Sequence, residues 1–91
     1  MGKLLIQVSP ATINEVQAEL INWKIEYVKV SDFTLELPNL LCNYHKLIQL
    51  RGKYGLFDIY KVDNTGIVYK LSYNTYNEVE VGTYVELLGS L

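Results

Sequence analysis

Residue types that most often carry recognition or catalysis are scarce in this chain, which has one arginine (Arg51), one histidine (His45) and one cysteine (Cys42). A lone cysteine cannot close an internal disulfide, which favours a reducing, cytoplasmic setting. Cys42 and His45 stand three residues apart on a predicted helix, a spacing that could place two metal ligands side by side. Completing such a site would take carboxylates or a second copy across a two-fold axis, so no metal or cofactor is expected. On a helical wheel Cys42 lies opposite the mean direction of Leu40, Leu41, Tyr44, Leu47 and Ile48, which places its thiol in solvent.

Positive charge is also in short supply. The formal net charge is -2 and the pI about 5.2, without the basic surplus by which duplex DNA binders replace phosphate counterions. No apolar run approaches the roughly 18 residues that span a bilayer, so no membrane association is expected. The first residues, MGKLLIQVSP, reach Ser9 and Pro10 too soon for the apolar region of a secretory signal. Ile6 stands where N-myristoylation wants Ser or Thr. Phosphate-binding glycine loops, HExxH, dinucleotide fingerprints and triad spacings are missing, so no catalytic residue is assigned and no enzyme is expected. Alanine occurs only at Ala11 and Ala18. Phe, Tyr, Met, Ile, Asn and Lys, whose codons are AT-rich, total 32 residues against 11 for Gly, Ala, Arg and Pro. That bias implies an AT-rich genome and suits a small phage or viral accessory protein.

What remains is a chain of 91 residues, 49% hydrophobic and 20% charged, consistent with one globular domain over residues 1–91. Lys3 to Val8 is a short, nearly continuous apolar run and reads as a buried strand closed by Ser9-Pro10. Thr12-Ile13-Asn14-Glu15 fits a capping box, and Ile13, Val16, Leu20 and Trp23 follow with helical period to about Asn22. Lys24 to Val30 and Phe33 to Leu37 read as two strands joined by a tight turn at Ser31-Asp32. Pro38-Asn39 breaks the strand and caps a second helix, which ends with Arg51 in its last turn and Gly52 as a left-handed cap. Leu56 to Val62 and Ile67 to Tyr73 form a hairpin around Asp63-Asn64-Thr65-Gly66. Glu78 to Val81 and Thr83 to Leu88 read as short strands separated at Gly82. The fold class is therefore α+β, βαββα followed by an antiparallel β-meander.

The stretch RGKYGLFDIY, residues 51–60, echoes the basic–glycine–aromatic signature of RNA-binding sheets. Up to about Val62 the element order also resembles the ferredoxin-like βαββαβ unit, the framework of the RNA-recognition motif. The resemblance is topological and covers about two thirds of the chain. In that family the signature lies on the third strand, whereas here it follows the second helix. Lys53 is inserted after the glycine, the first strand has no aromatic residue, and Asp58 sits mid-strand where it would repel phosphate.

The eight tyrosines are the other prominent feature. Pairing Val62 with Ile67 across the turn sets Tyr60 opposite Tyr69, Asp58 opposite Leu71 and Leu56 opposite Tyr73 on one core face. This makes Asp58 a structural, partly buried carboxylate. Two short helices cannot cover both faces of a sheet of six or more strands, so the sheet either curls into a partial barrel or meets a second subunit. The expected function is a non-enzymatic protein-interaction module, a homodimer, with Tyr76 and Tyr84 as partner-binding anchors. The acidic residues Glu78, Glu80 and Glu86 could equally guard an edge against pairing. The alternative is a single-stranded nucleic-acid binder using Lys46, Arg51, Lys53, Tyr54, Lys61 and Lys70, since residues 46–70 carry a local charge of +3.

Overall fold

The computed structural model describes residues 2–55, 57–72 and 77–89. The elements run β1 (Lys3–Gln7), α1 (Ile13–Asn22), β2 (Val28–Ser31), β3 (Thr34–Pro38), α2 (Leu41–Tyr54), β4 (Asp58–Val62), β5 (Ile67–Leu71), β6 (Glu78–Thr83) and α3 (Tyr84–Gly89). The α+β reading and the order βαββα followed by a meander hold. All six strands form one antiparallel sheet in the order β2-β3-β1-β4-β5-β6. The sheet stays open, with β2 and β6 at its edges, and is not a barrel.

α1 and α2 cover one face. Leu4, Ile6, Val8, Leu35, Leu37, Phe57, Ile59 and Leu71 meet Ile13, Val16, Leu20, Leu47 and Leu50 there in the main core. On the opposite face Leu5, Tyr60, Val62 and Val68 form a smaller cluster, against which Val30, Tyr84 and Leu87 pack. The segment Thr83 to Leu88, expected as a strand, therefore contains a third helix. Thr83 Oγ1 accepts from the Glu86 N–H at 3.2 Å and donates to Glu86 Oε1 at 2.9 Å. The Thr83 hydroxyl thus caps the first turn of a helix despite β-branched and aromatic neighbours. The same T-x-x-E spacing at Thr12–Glu15 makes no side-chain cap. There the Ser9 carbonyl accepts from both the Thr12 and Ile13 N–H groups.

α2 also differs from expectation. It continues through Gly52, where a side chain would meet nothing within 4 Å, to Tyr54. The left-handed terminus is Gly55, with φ +80°. Its buried stripe is Asn43, Leu47, Leu50 and Arg51, while Leu40 and Leu41 face solvent. The strand expected from Lys24 starts only at Val28, after Lys24 adopts φ 58°. The β2–β3 turn is Asp32-Phe33, one residue later than expected, with Ser31 opposite Thr34.

The β4–β5 hairpin carries the most consequential difference. Observed pairs are Tyr60 with Lys70, Lys61 with Tyr69 and Val62 with Val68, one residue away from the expected register. Asp63 N–H donates to the Ile67 carbonyl, and Gly66 has φ +88°, so the loop has three residues and a left-handed glycine. Asp63 Oδ1 fixes it by accepting from Thr65 N–H, Thr65 Oγ1–H and Ile67 N–H at 2.8, 2.7 and 3.0 Å. These bonds, led by that from the Thr65 hydroxyl, hold the Asp63 carboxyl below its ordinary pKa. A one-residue slip exchanges faces. Tyr60 consequently lies on the α3 face and Tyr69 on the α1/α2 face, while the expected Leu56–Tyr73 pair lies outside the described residues.

Candidate interaction surfaces

The residues proposed from sequence for nucleic-acid contact do not share a surface. Arg51 is 6% exposed, and its guanidinium donates to the Leu71 and Ser72 carbonyls, both at 3.3 Å. It ties α2 to the end of β5 and is withdrawn from any ligand. Lys46 Nζ lies over the Trp23 ring at 4.6 Å, joining α2 to α1. Lys53 pairs with Glu19 at 3.0 Å and lies 5.3 Å from the Tyr54 ring centre. The Tyr54 hydroxyl donates to the same Glu19 carboxylate, which together with Lys53 lowers the carboxyl's pKa. Tyr54 packs its ring against the main core.

Lys61 and Lys70 lie on opposite faces of the sheet. Lys61 pairs with Glu78 at 3.4 Å and sits 5.4 Å from the Tyr44 ring centre, on the α2 side. Burial, with the nearby Glu78 carboxylate adding to it, pushes the Tyr44 phenol up. Lys70 pairs with Asp58 at 3.6 Å on the α3 side. Asp58 is half-buried beside Tyr60, whose phenol is raised first by burial and then by that carboxylate.

Of the two proposed anchors, Tyr76 lies outside the described residues. Tyr84 opens α3 and is an internal fastener. Its hydroxyl donates to Glu36 Oε2 at 2.6 Å, its ring lies 4.7 Å from Lys3 Nζ, and Lys3 pairs with Glu36 at 3.4 Å. Burial, followed by the hydrogen bond to Glu36, raises the Tyr84 phenol, while the Glu36 charge raises the Lys3 ammonium. Cys42 and His45 are both exposed on α2. Among the described residues no group of three His, Cys, Asp or Glu side chains is placed to hold a metal, and no helix is long and apolar enough to cross a membrane.

Among the described residues the clefts are open and shallow. One of about 460 Å³ is lined by Gly2, Asn39, Lys61, Asp63, Asn64, Tyr69 and Glu78, with its lysine already paired. A second of about 450 Å³ runs beside β2, between Lys3, Glu36, Tyr27 and Val28. A third of about 290 Å³ separates α3 from the sheet, between Tyr60, Lys70, Val81 and Leu87. Asp58 lines none of these three.

Exposed apolar side chains occur at several places, among them Ile21, Val28 and Leu41 and, at the C-terminal edge, residues of β6 and α3. Val79 and Val81 on β6 are 56% and 51% exposed, and Val85 on α3 is 78% exposed. The β6 residues from Glu78 to Val81 all face solvent. Sequence reading missed this surface because it took Thr83 to Leu88 for another strand. The T-x-x-E spacing was the one signal that pointed to a helix there. Compared with protein-family models, curated proteins and solved structures, the chain matches none.

Proposed function

We propose that this protein is a non-enzymatic interaction module whose partner is another protein, engaged through the edge formed by β6 and α3. The observation that carries the reading is the exposure of Val79 and Val81 on the edge strand β6 and of Val85 on the helix that follows it. Desolvating apolar groups at the centre of a patch rimmed by charge is how protein interfaces gain affinity. The dispersal of the basic residues and their internal pairing favour it over the nucleic-acid alternative.

A photo-crosslinking residue placed at Val85 tests it in an extract of the native host, with Glu15 on α1 as the control position. Protein adducts are expected at position 85 and not at 15; equal yields at both would overturn the reading. Labelled single-stranded oligonucleotides titrated at low and high salt test the rival. Salt-sensitive binding that is lost in Lys53→Ala and Tyr54→Ala would replace the proposal with nucleic-acid recognition.

A further inference from the structure

The two edges of the sheet are chemically complementary. β2 presents Val28-Lys29-Val30, with Val28 and Lys29 exposed, and β6 presents Glu78-Val79-Glu80-Val81, all exposed. We propose that the surface on β6 is filled by the β2 edge of a second copy of this chain, in a head-to-tail joint that extends the sheet. This rests on the reading of β6 as an interaction surface and names its occupant.

Three independent features agree. The first is strand direction. Six strands that all alternate give edges running in opposite senses. A copy displaced along the sheet, with its helices on the same side, therefore meets β6 with an antiparallel β2, which is the geometry a ladder needs.

The second is the match of faces. Lys29 pairs with Leu35 and Glu80 with Tyr69, so both project to the α1/α2 side. Val28 pairs with Glu36, which bonds Tyr84 of α3, and Val79 pairs with Lys70 opposite Tyr60, so both project to the α3 side. A register that sets Lys29 opposite Glu80 brings Val30 toward Val79 and Val28 toward Val81, with the irregularity of each edge strand falling at Val30 and Val81. One face of the joint then carries a charge pair and the other carries valines.

The third is the choice between joints. An antiparallel β6–β6 joint crowds two sets of Glu78 and Glu80 onto one face, and a β2–β2 joint brings lysine toward lysine. Like charges across a ladder disfavour both. Lys29 and Glu80 have no ion pair among the described residues, whereas Lys3, Lys53, Lys61 and Lys70 are all paired within the chain. An asymmetric joint leaves each assembly with one free β2 and one free β6, so growth does not stop at two copies.

Analytical ultracentrifugation of the full chain at low salt, over a range of concentrations, tests this with two single charge reversals. The wild type should exceed the 10.5 kDa monomer progressively with concentration, and added salt should weaken the assembly. Lys29→Glu and Glu80→Lys should each raise the concentration for half-assembly about tenfold or more, with far-UV circular dichroism unchanged. Mixing the two variants again sets opposite charges across every joint between unlike copies and should restore association. A wild type that remains monomeric throughout, or a limiting dimer indifferent to Lys29→Glu, overturns the proposal. Adducts at Val85 with other proteins would still leave the broader interaction reading standing.

Discussion

Leu4 and Leu5 are neighbours on the central strand, both fully buried, and they point into very different surroundings. Among the described residues, Leu4 enters a core of 13 buried residues closed by two helices of 10 and 14 residues. Leu5 enters a cluster of four buried described residues closed by the six-residue α3. The first face is held by apolar packing. The second relies on a few fastenings: Tyr84 on Glu36, Lys3 on Glu36, Lys70 on Asp58 and the Thr83–Glu86 cap. A short helix has little stability of its own and depends on such tertiary contacts. The thinner layer also carries the exposed valines, so the part of the molecule proposed to bind is also the part most loosely fixed.

Truncating the two leucines should separate the faces most clearly. Leu4→Ala is expected to cost about 4 kcal/mol and Leu5→Ala about 2 kcal/mol, because α3 can settle into the space while the α1/α2 layer cannot. Urea midpoints at constant slope would measure both, and equal losses would contradict the difference in layers.

Removing the Tyr84 hydroxyl comes next. Tyr84→Phe should cost about 1.5 kcal/mol, the lower end for a bond to a charged acceptor, since Glu36 keeps Lys3. The same residue predicts a pH effect. A phenol whose pKa is raised by folding stabilises fully below its unfolded value of about 10 and loses that contribution as pH climbs through the folded value. Tyr44, Tyr60 and Tyr84 are all raised, each by burial first. Stability should therefore be level from about pH 8 to 9 and fall above about 10, and Tyr84→Phe should fall less steeply in a series of urea melts.

Smaller effects sharpen the comparison within one motif. Thr83→Ala should cost about 1 kcal/mol by removing the α3 cap, whereas Thr12→Ala should be close to neutral, because its hydroxyl caps nothing. Thermal melts of both variants decide it. At the low end, Lys70→Ala should change stability by about 0.5 kcal/mol, as expected for a partly exposed pair.

The strand and helix periods were legible where an element is amphipathic in one consistent direction. Ile13, Val16 and Leu20, or Leu35 and Leu37, point to the same core whatever the details of the loops. Register was not legible in the same way. Asp63-Asn64-Thr65-Gly66 suits a four-residue turn between Val62 and Ile67 as well as a three-residue loop, and the Asp63 N–H bond to Ile67 with the three bonds to Asp63 Oδ1 decides between them. That single choice moved Tyr69 and Tyr60 to opposite faces. Thr12–Glu15 and Thr83–Glu86 have identical spacing but opposite outcomes: the Thr83 hydroxyl accepts from the Glu86 N–H, and the Thr12 hydroxyl makes no cap. Arg51 looked like a surface cation because the carbonyls that hold it belong to Leu71 and Ser72, about 20 residues away in sequence and adjacent only once the sheet forms.

Native-state hydrogen exchange resolved by residue tests the unequal-layer account most directly. The account predicts that amides of α3 and β6 exchange through openings well below the global unfolding free energy, while those of β1, β3 and β4 exchange only with global unfolding. Equal protection of α3 and β1 amides would contradict it.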